Sequence, residues 1–252
     1  MAGLSNDLSQ CLFLGLECAI EMLIFQYREV VQVARNSGSK VLMIKPGERD
    51  CLIVVDVQND FCSGGALAVA DGDAVVPVIN ELTERFAHCI LTQDWHPHGH
   101  QSFASAHPGR EPFQTITAPY GEQTLWPDHC VQGSRGAEFH LALQTGRAEL
   151  IVRKGFRLQI DSYSAFYEND RQTTTGLAGY LRERGFSRLF LAGLATDFCV
   201  RYSAEDARRE GFEALVIEDA CRAIDLKGSL AAAWESLDAC GAQRILSDAI
   251  AA

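Results

Sequence analysis

Leu189-Phe190-Leu191-Ala192-Gly193-Leu194 runs straight into Ala195-Thr196-Asp197-Phe198-Cys199-Val200, and the change of pattern between the two decides the fold. A short, continuous apolar run is what a strand buried on both faces requires. It ends in a tight turn, and an amphipathic stretch with helical spacing follows. Working outward, the same alternation recurs along the chain. Strands are expected over 51–57, 88–92, 149–153, 188–194, 214–218 and 243–246, and helices over 73–85, 174–184, 198–210 and 228–239. Strands alternating with helices predict an α/β fold: a three-layer αβα sandwich whose mostly parallel six-stranded sheet carries helices on both faces. The stretch over 95–136 is rich in Pro, Gly and His and too long for a simple connection, which suits loops that bind.

The turn between strand and helix gives Cys199 two readings. Unpaired amides and the helix dipole there stabilise a thiolate, the form that attacks carbonyl carbon, and the same amides could hold the resulting oxyanion. Cysteine is equally a small core residue. Other strand ends supply what a nucleophile needs. Asp56 closes the run Cys51-Leu52-Ile53-Val54-Val55, at the sheet edge where open α/β sheets bind ligands. Lys154 closes Leu150-Ile151-Val152, where a cation could fix an ionised aspartate and lower a thiol pKa. Asp94-Trp95-His96 follows Cys89-Ile90-Leu91, and in extended chain residues two apart project to one side. With His129 of Trp126-Pro127-Asp128-His129-Cys130 they make one carboxylate and two imidazoles, a set suited to Zn, Fe or Mn.

These stretches resemble the nicotinamidases of the isochorismatase-like cysteine hydrolases. The matching segments are Asp56-Val57-Gln58-Asn59-Asp60-Phe61, Thr92-Gln93-Asp94-Trp95-His96-Pro97, Trp126-Pro127-Asp128-His129-Cys130-Val131, Arg153-Lys154-Gly155, Asp161-Ser162-Tyr163-Ser164-Ala165-Phe166, and Gly193 through Ala207. Together they run from about Cys51 to the C-terminus, and they are specific in order, spacing and residue type. The resemblance implies an Asp-Lys-Cys triad of Asp56, Lys154 and Cys199. It implies one divalent metal ion (Zn, Fe or Mn) on Asp94, His96 and His129. It also implies an oxyanion hole from the backbone N–H groups of Ala195 and Cys199 beside a cis Leu194–Ala195 peptide. Phe61, Trp126, Tyr163 and Gln58 are the implied substrate contacts. His100 falls near a histidine that ligates metal in some members, but the loop spacing differs and it is left out of the set. The implied reaction is metal-dependent hydrolysis of nicotinamide to nicotinate and ammonia through a thioester, in NAD salvage. The alternative is another amidohydrolase of the superfamily acting on a different small amide; relatives of that kind generally lack the Asp-x-His plus His set kept here. A non-catalytic binding protein on this fold would be marked by loss of the nucleophile, which is retained. In a metallohydrolase, bound water would attack and Cys199 would be structural.

Composition sets outer bounds. A net charge of −11 over 252 residues argues against nucleic acid or an anionic membrane as partner, since either calls for a basic patch. Nine cysteines, odd in number and without a C-x-x-C pair, do not form a disulfide framework and suit a reducing cytoplasm. The expected partner is the small-molecule substrate, with a homo-oligomer left open. Residues 43–252 are expected to form the hydrolase domain. Residues 1–42 are apolar from Leu8 to Ala34, with Glu17, Glu21, Arg28 and Glu29 interspersed, and read as a helical extension. They are either an added packing or oligomer helix or upstream sequence read in from an early start codon, with Met43 as the natural start; the second reading is preferred.

Overall fold

In chain order the elements are β1 (Asp50–Val55), α1 (Val75–Arg85), β2 (Cys89–Asp94), β3 (Thr115–Ala118), β4 (Gly121–Thr124), β5 (Ala148–Lys154), α2 (Leu177–Glu183), β6 (Arg188–Leu194), α3 (Arg201–Arg209), β7 (Glu213–Arg222), α4 (Ser229–Cys240) and β8 (Gln243–Ile245). This computed structural model describes residues 43–252, so the extension expected over 1–42 lies outside the described residues. Six strands form one sheet in the order β5-β2-β1-β6-β7-β8, and every neighbouring pair in it is parallel.

The continuous apolar runs are continuous because the sheet is covered on both faces. Successive side chains of β1 point to opposite faces. Leu52 and Val54 pack on one side with Val75, Val76, Ile79 and Leu82 of α1. Cys51, Ile53 and Val55 pack on the other with Leu177 and Leu181 of α2, Ala204 and Ala207 of α3 and Leu237 of α4. Helices on both faces make the expected αβα sandwich. Each fully buried Leu, Ile or Val contributes roughly 1.5–3 kcal/mol, so docking of α1 rests chiefly on Val75, Ile79 and Leu82, all wholly buried.

From β1 the chain builds β2 and β5 to one side, and β6, β7 and β8 to the other. The reversal falls between β1 and β6, and the crevice beyond their C-terminal ends is where such sheets bind ligands. Gly193 permits the close approach there. Its φ is 123°, and a Cβ on it would stand 2.1 Å from the Val55 carbonyl oxygen. The β6–β7 register shifts between Leu191 and Gly193, and pairing then resumes at Gly193 with Cys221. That irregularity lets β7 continue to Arg222, beyond the expected end at 218.

Two further expectations change in detail. Helix α3 starts at Arg201 rather than 198, because Thr196–Val200 forms a wider turn in which the Val200 N–H donates to the Ala195 carbonyl, five residues back, at 3.1 Å. The stretch expected to be irregular over 95–136 contains the antiparallel hairpin β3–β4, paired from Thr115 with Thr124 to Ala118 with Gly121. Its strands are four residues long and largely solvent-facing, so their apolar alternation is faint.

Candidate active site and metal centre

Three of the candidate groups end strands or follow them directly: Asp94 is the last residue of β2, Lys154 the last of β5, and Asp56 follows β1. Asp94 and Lys154 are register partners across the β2–β5 pair, so their side chains rise from the same edge. Cys199 stands in the turn after β6, and the Leu194–Ala195 peptide preceding that turn is cis.

Lys154 is the hub. Its Nζ is wholly buried, 2.8 Å from Asp56 Oδ2, 2.8 Å from Asp94 Oδ1, 3.0 Å from the Ser162 carbonyl and 3.4 Å from Cys199 Sγ. Burial opposes its charge, but Asp56 and Asp94 outweigh that and hold its pKa well above the ordinary lysine value. Burial raises Asp56, with Lys154 pulling the other way and Asp94 adding to the rise. The Thr92 hydroxyl donates to Asp56 Oδ1 at 2.6 Å and fixes that carboxylate. Burial likewise holds the Cys199 thiol well above the ordinary value, beyond what Lys154 offsets. The surroundings therefore favour the thiol over the thiolate expected from the helix dipole, with the Asp56 carboxyl beside it.

Asp94, His96 and His129 converge at the opposite side of Lys154. Asp94 Oδ2 is 3.0 Å from His96 Nε2 and 3.4 Å from His129 Nε2. Ligand atoms about 2.1 Å from one ion and at right angles lie about 3 Å apart, so the spacing fits a shared cation. The tautomers fit as well. His96 Nδ1 donates to the Gly155 carbonyl at 2.9 Å and His129 Nδ1 to the Pro127 carbonyl at 2.8 Å. A carbonyl only accepts, so each Nδ1 carries a proton and each Nε2 is the nitrogen left to face an ion, the arrangement that orients a metal-binding histidine. Burial opposes charge on both Asp94 and His96. Their mutual attraction overcomes it, lowering Asp94 well below and raising His96 above the ordinary values. The locus draws positive charge, and a metal would displace the proton held there.

Two further groupings compare poorly. His100 donates Nε2–H to the Arg157 carbonyl at 2.9 Å, and its Nδ1 accepts from the Ser102 hydroxyl at 2.7 Å, so no lone pair is left for an ion. Cys62, Asp73 and His140 also cluster. There, however, the Ala142 N–H donates to His140 Nδ1, which leaves the proton on Nε2 facing Asp73.

Phe61, Trp126 and Tyr163, expected at the substrate, line the cavity beside Asp94, His129 and Cys199. Leu67, Asp161, Ala195, Phe198 and Ile224 complete its wall. The space inside it is about 330 Å³. Its aromatic walls make a slot suited to one flat ring, with Trp126 edge-on to Phe198 at 4.9 Å and to Tyr163 at 6.2 Å. Larger hollows, such as one of about 1140 Å³ beside the β3–β4 hairpin, are open and carry none of these groups.

Gln58, expected as a substrate contact, is placed elsewhere. Its Nε2 donates to the Asp94 and Ala137 carbonyls, each at 2.8 Å, and its Oε1 accepts the Asp94 N–H at 2.8 Å. A wholly buried amide spent in this way aligns Asp94 from behind. Thr92, Asp161 and Ile224 were not singled out from sequence. Thr92 and Asp161 lie inside the motif segments; Ile224 lies in none.

The family model of the isochorismatase domain matches residues 50–249. The chain is 56% identical to a nicotinamidase of Acinetobacter baylyi over 206 residues, 82% of this chain and 96% of that one. Among solved structures it is similar to a nicotinamidase/pyrazinamidase of Acinetobacter baumannii at 55% identity and a TM-score of 0.80, covering 80% and 98% of the two chains. A pyrazinamidase of Pyrococcus horikoshii, solved in complex with zinc, matches at 35% identity and a TM-score of 0.64, covering 79% and 99%.

Proposed function

The chain belongs to the isochorismatase domain family and acts as a nicotinamidase, and we infer that the cluster around Lys154 carries out its hydrolysis of nicotinamide to nicotinate and ammonia. One observation supports this assignment of roles above the rest: a single buried ammonium lies within 2.8 Å of both Asp56 and Asp94 and 3.4 Å from Cys199 Sγ. It joins the nucleophile, its base and the metal ligands in one locus.

Because Cys199 rests as a thiol, its proton passes to Asp56 as sulfur bonds to the carboxamide carbon. The Lys154 charge offsets the negative charge shared between sulfur and carboxylate. The oxyanion is held by the backbone N–H groups of Ala195 and Cys199. Asp56 then returns the proton to nitrogen as the C–N bond breaks, releasing ammonia and leaving a thioester on Cys199. A water molecule gives a proton to Asp56 and its oxygen to the acyl carbon. The C–S bond breaks, nicotinate leaves, and the thiol is reprotonated. Asp94, His96 and His129 would hold a divalent ion, which would supply a Lewis acid at the substrate, and Zn, Fe and Mn all suit that donor set. Phe61, Trp126 and Tyr163 hold the ring flat and keep bulk water away. We place the protein in a reducing compartment such as the cytoplasm, since Cys199 must stay free; the seven cysteines among the described residues are all unpaired. No helix among the described residues is long and apolar enough to cross a membrane.

Ammonia release from nicotinamide, measured with and without chelator, tests the assignment. His96→Ala should raise KM sharply, while Cys199→Ala should abolish turnover and still bind nicotinamide in calorimetry. Equal residual turnover in the two variants would overturn this division of labour.

A further inference from the structure

Asp197 belongs to the same turn as Cys199, yet its side chain serves a different segment. It is buried, with Oδ1 accepting the Ile224 N–H at 3.1 Å and Oδ2 accepting the Asp225 N–H at 2.8 Å together with the Ser229 hydroxyl. The segment it holds leaves β7 after Arg222 and enters α4 at Ser229. On the way, Asp225, Lys227 and Gly228 take positive φ values of 52°, 54° and 84°. Left-handed conformations at two side-chain-bearing residues persist only where the surroundings enforce them, and such clusters favour ligand clamps. Three hydrogen bonds to one buried carboxylate provide that enforcement. Ile224, first in the series, is half-buried and lines the substrate slot.

The strand order says which part of a bound ring Ile224 faces. Asp94 and His96 rise from the end of β2, Asp56 from β1, Cys199 from the turn after β6 and Ile224 from beyond β7, in sheet order β2-β1-β6-β7. Ile224 therefore stands on the side of Cys199 away from the metal-binding residues. A nicotinamide with its nitrogen toward the histidines and its carboxamide at Cys199 turns ring carbons 4 and 5 toward that wall. Carbons 2 and 6 flank the nitrogen instead. We propose that Ile224 limits what the ring can carry at carbons 4 and 5, and that Asp197 is the positioning residue holding Ile224 there. The proposal rests on nicotinamide being the substrate and adds a specificity boundary to it.

The test compares kcat/KM of the full-length, metal-loaded enzyme for nicotinamide and its 4-methyl, 5-methyl and 6-methyl derivatives. Reading each derivative as a ratio to nicotinamide within one variant removes its intrinsic reactivity. Ile224→Ala should raise the 4-methyl or 5-methyl ratio about tenfold or more, the scale on which one apolar pocket group discriminates, and leave the 6-methyl ratio in place. Asp197→Asn should shift the same ratio in the same direction and raise KM more than it lowers kcat, which a merely less stable protein would not do. Ile224→Val, a smaller trim that cores tolerate, should move the ratio the same way by a few-fold and guards against misfolding of the alanine variant. Unchanged ratios in both Ile224 variants overturn the proposal, and so does a 6-methyl ratio that rises equally, since that is general loosening. Wild-type turnover of nicotinamide is the separate readout of the underlying function: if it is absent, that reading falls and the wall with it.

Discussion

Replacing Lys154 by methionine removes one charge from the middle of the site and keeps the stem. Asp56 and Asp94 then remain in place, both essentially closed to solvent, without the ammonium that stood 2.8 Å from each. At an effective dielectric of about 20, each contact is worth about 6 kcal/mol of direct attraction, most of it consumed by desolvation. Removing one partner of a buried pair costs about 3–5 kcal/mol net, because the other is left buried and uncompensated. For a domain of this size that is a fall in Tm on the order of 10 °C. The loss should also depend on pH, with a definite sign. Buried carboxylates without their cation take up protons at higher pH than in the unfolded chain, where the midpoint is about 3.9. Their stability contribution is therefore present at low pH and lost as pH rises. Urea unfolding of wild type and Lys154→Met at pH 5 and pH 8, in chelator, should show a deficit that grows with pH. Adding metal should shrink it, since Asp94 regains a positive partner. A shift in Tm below about 2 °C, equal at both pH values, would refute the view of Lys154 as the counter-charge of two buried acids.

Gly155 has a φ of 66°, and a Cβ there would lie 2.5 Å from His96 Cε1; Gly155→Ala should weaken metal binding by about tenfold or more in a chelator competition, and unchanged affinity would count against a preset His96. Thr92→Val removes the 2.6 Å hydrogen bond that favours ionised Asp56, so the acidic limb of the kcat/KM profile should move to higher pH; a limb that stays put would show that Asp56 does not govern it. Burial pushes Glu168 up to about 7 against the opposing pull of Arg157, and its Oε2 has no hydrogen-bond partner among the described residues. The unfolded chain ionises this group near 4.3, so across roughly pH 4–7 the unfolded state binds fewer protons and stability falls as pH rises. Glu168→Gln should flatten that fall in urea midpoints, and parallel wild-type and variant curves would be the contrary result.

The parts legible in sequence are those whose signal is local. β1, β2 and β6 are buried on both faces, so their apolar runs needed no partner to be seen. Asp94 and His96 carry the two-residue repeat of extended chain, and Asp56 and Lys154 stand at the ends of apolar runs, each readable alone as an ordinary strand-end charge and telling only in company with Cys199. What could not be read depends on neighbours far along the chain. Gln58 looks like any polar residue in a motif loop until β2 is set beside β1 and its amide meets the Asp94 backbone, 36 positions away. Ile224 resembles a core residue until the Asp197 carboxylate fixes which way its segment turns. The β3–β4 hairpin is hidden for another reason: with little to bury, its strands leave scarcely any pattern.

β5 is the outermost strand on its side of the sheet, paired only with β2 among the described strands, and Ile151 within it is 47% exposed. Border strands open first, and an opened border offers unpaired amides and an apolar row to other chains. Here the last residue of that strand is Lys154, clasped to carboxylates on the two strands further in. Peeling the border would strip the ammonium from both acids at once, so the bonds that activate the thiol also fasten the hem of the sheet. Amide exchange at Val152 and Arg153 should therefore follow the state of the active site: slow when the clasp is closed, and faster when Asp56 or Asp94 is neutralised.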